Sequence, residues 1–84
     1  MKAGKWNYWT KRYDVYDIPE DWNTPLYSDD DNEIVNCAQC GRKLKFGDAY
    51  NSKEVHSRHG MSYPVCQDCY IGECSRMRMS VVMR

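Results

Sequence analysis

The middle of the chain has a pattern of extended segments separated by turns. In residues 44–65, LKFGDAYNSKEVHSRHGMSYPV, glycines mark two turns. The segment 49–56 between them has the character of a strand, and residues 61–65 return to extended backbone because proline restricts the residue before it. We therefore predict a β-hairpin in this region, with His59 at its turn.

From residue 67 onward, the apolar positions change to a helical spacing. They recur at steps of four, three and four residues, at Tyr70, Cys74, Met77 and Val81. Asp68 falls in the first turn, where negative charge favours a helix. Gly72 lowers the stability of the helix by about 1 kcal/mol relative to alanine. The pattern predicts a C-terminal helix. Three methionines are expected to pack in the core or at the helix end: Met77, Met79 and Met83.

The first third of the chain is dominated by aromatic rings. Residues 6–18 fit a strand or an extended arm, and the acidic segment SDDDNE at 28–33 predicts a solvated loop. Seven of the eleven aromatic residues lie before residue 28: Trp6, Tyr8, Trp9, Tyr13, Tyr16, Trp22 and Tyr27. We predict that most of them pack over the rest of the chain. In the alternative, some form an exposed anchor for a partner, because tryptophan and tyrosine dominate binding hot spots; the candidates are Trp6, Trp9 and Trp22.

Length and composition indicate one small domain that needs stabilisation beyond its hydrophobic core. A chain of 84 residues buries only about two thirds of its unfolded surface, and such scaffolds usually add disulfides, a metal or a partner. The net charge is zero, but residues 1–13 carry bases and no acid, whereas residues 14–33 carry eight acids and no base. Such asymmetry concerns partners more than fold.

The spacing of the cysteines indicates that a metal ion supplies this stabilisation. The five cysteines form two pairs of the type Cys-x-x-Cys, separated by 25 residues, and one single residue: Cys37, Cys40, Cys66, Cys69 and Cys74. A two-residue gap lets both sulfurs of a pair reach one ion, and two pairs complete a tetrahedron around Zn²⁺. We predict one structural zinc ion held by the four paired cysteines.

Other interpretations of the cysteines are weaker. A redox site predicts one active pair rather than two, and a disulfide framework requires a secreted chain and prefers an even count. Cys74 lacks pair spacing and is expected to be a small apolar residue on the helix. His56 and His59 can replace a cysteine as ligand, but four well-spaced sulfurs make that unnecessary.

The phrases CAQCGRKLKFGDAY, at 37–50, and YPVCQDCY, at 63–70, resemble a treble-clef zinc finger and the first zinc module of LIM domains. The resemblance implies a small zinc-stabilised α+β fold, in which a knuckle and a β-hairpin precede a helix that carries the second pair. A zinc ribbon is the alternative. Residues 1–33 would then be an aromatic and acidic extension packed on a zinc module formed by residues 34–84. The whole chain also resembles small zinc-finger proteins of tailed bacteriophages.

Three classes of function follow from these features. An enzyme is not expected, since neither a nucleophile–base pair nor a phosphate-binding glycine loop is present. Nucleic-acid binding would use basic side chains as phosphate contacts, and the candidates are Arg42, Lys43, Lys45 and Arg58. The acidic block at residues 14–33 opposes this function. Protein binding fits a neutral, dipolar chain with many aromatic rings. Its acidic candidates, which can also mimic nucleic acid, are Asp29, Asp30 and Asp31.

We therefore expect a non-enzymatic protein-interaction module, encoded by a phage, that binds and modulates or inhibits a host protein. The alternative is a regulatory zinc finger that binds nucleic acid. The chain starts without the apolar stretch of a secretory leader, and it contains no apolar segment of membrane-spanning length. A cytoplasmic protein without a membrane partner is expected, in the host cytoplasm if a phage encodes it.

Overall fold

The protein is a small α+β domain with two antiparallel sheets and a C-terminal helix. The computed structural model describes residues 1–82, with side chains up to residue 79; Met83, of the predicted methionine run, lies outside this range. The strands are β1 (Lys2–Asn7), β2 (Arg12–Asp17), β3 (Ile34–Asn36), β4 (Lys43–Lys45), β5 (Tyr50–His56) and β6 (Ser62–Val65). A single turn of 3₁₀ helix spans Phe46–Asp48, and the helix α1 spans Gln67–Val82.

The larger sheet has the strand order β2-β1-β5-β6, with every neighbouring pair antiparallel. Its first hairpin corrects our expectation of one strand or arm over residues 6–18. The chain reverses at residues 8–11, where the Asn7 side-chain oxygen accepts hydrogen bonds from the backbone N–H groups of Trp9 and Thr10. Lys11 at the end of this turn adopts a positive φ of 59°. Asparagine is a turn former for this reason, and the aromatic residues on both sides concealed that signal.

The predicted central hairpin is confirmed. Strands β5 and β6 pair antiparallel, with an irregularity in register between Asn51 and His56. The connecting turn contains His59, as expected, and Gly60 at a φ of +85°. The smaller sheet joins β3 to β4 and buries Val35.

The C-terminal helix is also confirmed, but its buried face differs from the predicted one. The predicted apolar positions Tyr70, Cys74 and Met77 are only half-buried, whereas Glu73 is fully buried. A charged residue can occupy this position because strand β5 offers hydrogen-bond donors to it, an arrangement that apolar periodicity does not detect.

The core is compact and lies between the larger sheet, the helix and the segment after β3. Its buried members are Ile18, Cys37, Ala38, Val55, Tyr63, Val65 and Cys66. Of the seven N-terminal rings, only Tyr16 and Trp22 pack against this cluster. Trp9, Tyr13 and Tyr27 are exposed, whereas Trp6, Tyr8, Tyr16 and Trp22 are half-buried.

Candidate metal centre

The first cysteine pair lies in a tight turn between β3 and β4. The turn is closed by a bond from the Cys37 N–H to the Arg42 carbonyl, 2.8 Å, and one from the Gly41 N–H to the Cys37 carbonyl, 2.9 Å. Gly41 has a φ of +79°, and a Cβ there would lie 2.5 Å from the ring of Trp22. Only glycine fits this position, because both the backbone conformation and the ring exclude a side chain.

The second pair lies where β6 passes into the helix. Cys66 directly follows β6, and Cys69 is in the first turn of α1, where the Tyr70 N–H donates to the Cys66 carbonyl. A bond of 2.9 Å from the Ala38 N–H to the Pro64 carbonyl ties the first turn to β6. This main-chain contact brings the two pairs together.

The four paired sulfurs form one cluster. The Sγ atoms of Cys37, Cys40, Cys66 and Cys69 lie within 4.8 Å of one another. The Cys40 and Cys66 sulfurs are 3.8 Å apart, and an ideal zinc tetrahedron with bonds of about 2.3 Å has sulfur–sulfur edges of about 3.8 Å. The cluster is therefore positioned to hold one metal ion.

Hydrogen bonding at the cluster suits thiolate ligands. The backbone N–H of Gln39 points at the Cys37 sulfur, 3.4 Å away, and such a donor stabilises negative charge on sulfur. Burial raises the pKa of the Cys40 and Cys69 thiols. The pKa of Cys66 is lowered although burial acts to raise it, because the Cys69 N–H and the neighbouring thiols hydrogen-bond its sulfur. Without a cation, burial therefore disfavours the thiolate forms of Cys40 and Cys69.

Two aromatic residues support the first turn from the N-terminal region. The Tyr16 hydroxyl donates to the Ala38 carbonyl at 2.6 Å, and Trp22 packs beside Gly41. The pKa of Tyr16 is raised by its burial and by the nearby cysteines. Trp22, a predicted partner anchor, is thus half-buried against the turn.

The remaining candidate ligands stay outside the cluster. Cys74 is half-buried on α1. His56 has its Nδ1 atom 3.2 Å from the Tyr13 hydroxyl, and His59 is exposed in the turn after β5. Within the described residues, the group of metal-ligating side chains contains no histidine.

The predicted basic residues occupy separate places. Arg42 is exposed and its guanidinium pairs with Asp68 at 3.2 Å. Lys43 and Lys45 are exposed on the same side of β4, on either side of half-buried Leu44. Arg58 lies elsewhere, in the turn after β5, where it lines a groove with Val15 of β2.

Sequence reasoning missed a second buried polar cluster, built on Gln39 inside the first cysteine pair. The Gln39 amide donates to Glu54 at 2.9 Å and to Glu73 at 2.7 Å. Arg76 donates twice to Glu54, at 2.7 and 2.8 Å, and Glu73 also accepts from the Ser52 hydroxyl and the Lys53 N–H. We call Gln39, Glu54, Glu73 and Arg76 the carboxylate network.

Both carboxyl groups of this network are buried. Glu54 is 1% exposed and Glu73 is fully buried, and buried carboxyl groups require this number of donors. Burial acts to raise the pKa of Glu54, but the bonds from Arg76 and Gln39 lower it overall. The two residues are 19 positions apart on different elements, so no local sequence signal could have identified them.

A groove of about 420 Å³ opens beside this network. Trp6, Tyr8 and Trp9 line one side, and Arg76 and Met79 of the helix line the other. The buried Tyr8 hydroxyl makes no hydrogen bond among the described residues, and burial together with the charges of Glu54 and Glu73 raises its pKa to about 12. The structure thus brings two of the three predicted tryptophan anchors into one groove.

The predicted acidic surface lies in the loop before β3. Asp29, Asp30 and Asp31 are exposed. Asp30 accepts the Asn32 N–H with its carboxylate, 2.9 Å, and the Asp31 carbonyl accepts the Gly47 N–H at the same distance. The loop is therefore ordered by its own polar groups and keeps its carboxylates towards solvent.

Fold and site together define a small α+β domain with a candidate four-thiol metal centre. The chain matches no family model, and comparison with curated proteins and with solved structures gives no match. Within the described residues, none of the helices has the length and apolar character that crossing a membrane requires.

Proposed function

We propose that the four-cysteine cluster binds one Zn²⁺ ion that serves structure. Its support is the donor set: four sulfurs satisfy the usual tetrahedral site and leave no open position for water or substrate. The order of elements, with a cysteine turn between β3 and β4, the hairpin β5–β6 and a helix bearing Cys69, supports a treble clef. A helix directly after Cys66 argues against a zinc ribbon, in which the second pair sits on another β-turn.

We further propose that the protein is a non-enzymatic protein-interaction module. The observation that carries this proposal is the groove between the first hairpin and the helix. Trp9, at its rim, is 61% exposed, and Met79 opposite is 56% exposed. Tryptophan and methionine are residues that supply adaptable contact area in interfaces. The acidic loop at 29–31 adds an exposed charge that can orient a basic partner.

A phage accessory protein that modulates or inhibits a host protein in the host cytoplasm is the setting that we propose. Its support is the resemblance of the whole chain to small zinc-finger proteins of tailed bacteriophages. A neutral chain with separated basic and acidic regions also suits recognition of a protein partner, in which charge sets orientation and association rate.

Affinity capture from bacterial lysate tests the interaction proposal. The intact chain should retain one stoichiometric protein, and Trp9→Ala should lose it because the groove loses its exposed ring. Tyr27→Ala is the matched control, since Tyr27 is 72% exposed and does not line the groove. Equal capture by the intact chain and Trp9→Ala would contradict the role of the groove, and no stoichiometric protein would contradict the proposal itself.

The alternative, a nucleic-acid-binding finger, is favoured by one observation. Lys43 and Lys45 are exposed on one side of β4, and no ion pair between either lysine and another described residue is found. If they contact phosphates, binding in a gel-shift assay should weaken steeply with salt. The change of both lysines to glutamine should reduce the salt slope by about two. Absence of any salt-dependent shift with mixed DNA and RNA would exclude this alternative.

A further inference from the structure

A tyrosine of the first hairpin reaches the first cysteine turn. The Tyr16 hydroxyl, on β2, donates to the Ala38 carbonyl at 2.6 Å, across 22 positions of the sequence. Tyr16 is the one residue of β2 that is not exposed, and it packs against the core cluster. The Lys5 ammonium lies 5.4 Å from the centre of its ring, and such a cation–π contact is attractive. The ring is therefore held in place beside the turn.

The carbonyl that accepts this bond belongs to a peptide group that also faces a ligand sulfur. The Ala38 carbonyl and the Gln39 N–H are the two ends of one planar peptide unit. The Gln39 N–H points at the Cys37 sulfur, 3.4 Å away. Because the unit is planar, a bond that fixes the direction of its carbonyl also fixes the direction of its N–H. Hydrogen bonds in a chain also polarise one another, so the bonded carbonyl makes the N–H a stronger donor.

The other sulfur of this pair has the same arrangement around it. The Asn36 side chain donates to the Gly41 carbonyl at 2.9 Å. The Arg42 N–H, in the same peptide group, hydrogen-bonds the Cys40 sulfur. In the second pair, the N–H group that bonds a ligand sulfur belongs to α1, whose helical hydrogen bonds hold its peptide groups. Side chains thus do for the first pair what the helix does for the second.

We propose that Tyr16 is a positioning residue of the metal centre, whose hydroxyl orients the peptide group between Ala38 and Gln39 so that its N–H stabilises the Cys37 thiolate. This inference rests on the proposed metal site. Hydrogen bonds around a metal centre orient its ligands and tune their charge, and an N–H donor stabilises negative charge on sulfur. The first hairpin is then a working part of the metal centre.

The test compares Tyr16→Phe with Tyr13→Phe in the full chain. Tyr13 is the matched control, because it lies on the same strand and its hydroxyl contacts His56 at 3.2 Å instead of the cysteine turn. In chelator competition, Tyr16→Phe should bind Zn²⁺ about 10-fold more weakly than the intact chain. Tyr13→Phe should bind Zn²⁺ like the intact chain.

A spectrum separates positioning from a general loss of stability. With Co²⁺ in excess every chain is loaded, and the sulfur-to-cobalt charge-transfer absorption reports the electron density on the ligand sulfurs. This absorption should move to lower energy in Tyr16→Phe, because the Cys37 sulfur loses its oriented donor. Val55→Ala shortens a buried core side chain and removes no hydrogen-bond donor. It should weaken metal binding and leave the energy of the absorption unchanged.

The outcomes separate this inference from the metal proposal. An absorption at the same energy in Tyr16→Phe and the intact chain would overturn the positioning role, whatever the affinities. An equal shift in Tyr13→Phe or Val55→Ala would overturn it as well, because the shift would then report lost stability. Failure of the intact chain to bind either ion would contradict the metal site itself, and the inference with it.

Discussion

Two buried polar clusters meet at Gln39, and they are built in opposite ways. The four-thiol centre takes its ligands from two local pairs, each within one turn of chain. The carboxylate network collects single residues from the first cysteine turn, β5 and α1. Gln39 belongs to both, since its backbone N–H faces the Cys37 sulfur and its side chain joins the two glutamates.

The clusters also differ in how their charge is balanced. The network carries its own cation, because Arg76 makes a two-bonded contact with Glu54. The thiol centre has Arg42 nearby, but that residue already pairs with Asp68. We therefore expect the thiol centre to need the proposed metal ion for its charge balance, whereas the carboxylate network needs only the chain.

The largest expected effect comes from breaking the thiol centre. Cys66→Ser should leave the chain unfolded, because structural zinc contributes on the order of 10 kcal/mol in small fingers, which is as much as a whole domain usually has. Circular dichroism and metal analysis measure this outcome.

Cys74→Ser is the matched control for the thiol centre, as it removes a half-buried thiol outside the cluster. It should fold and keep one metal ion per chain. If Cys74→Ser lost the metal, or Cys66→Ser kept it, the assignment of the four ligands would be wrong.

A smaller effect is expected from removing the cation of the carboxylate network. Arg76→Met should lower the free energy of unfolding by about 3 kcal/mol. This value is at the low end for a broken buried ion pair, because Arg76 is partly exposed. One metal ion should stay bound. Arg78→Met, two residues further along the exposed helix surface, should change stability by less than about 0.5 kcal/mol. Denaturant titration compares the two; equal stability would show that Glu54 does not need its partner.

The link between the clusters can be tested at Gln39. Gln39→Met keeps the length of the side chain and the backbone N–H that faces Cys37, but it removes a donor from each glutamate. We expect a loss of about 2 kcal/mol with unchanged metal content. A variant that bound metal more weakly would show that the amide also positions the thiol turn, and the two clusters would then be coupled.

The smallest effect concerns Tyr8, whose pKa of about 12 lies above the ordinary value of 10. A group whose pKa is raised by folding stabilises the folded state below its unfolded pKa, and this contribution disappears as pH rises through the folded value. Stability of the intact chain should therefore fall between about pH 10 and pH 12. Tyr8→Phe should match the intact chain at neutral pH and show a smaller alkaline decline, the remainder coming from Tyr16, whose pKa is also raised. Denaturant unfolding measures this difference, and an identical decline in both would exclude Tyr8 as a source.

Features of the fold and the site that depend on neighbouring residues could be predicted from the sequence, whereas features that depend on distant residues could not. Local spacing predicted the cysteine cluster, the hairpin over residues 49–65 and the helix after Cys66. The reversal at Asn7 was missed because aromatic residues on both sides suggested a continuous strand. The burial of Glu73 could not be predicted, because it depends on donors from β5 that are brought there only by the tertiary fold.

The central claim is that one metal ion joins the two cysteine pairs, and native mass spectrometry of the intact chain tests it most directly. Zinc-supplemented protein should show the mass of the chain with one Zn²⁺ ion bound in place of two protons, and chelation at equilibrium should remove the ion and the folded charge-state distribution together. A chain that remains folded and metal-free after the same treatment would contradict the account.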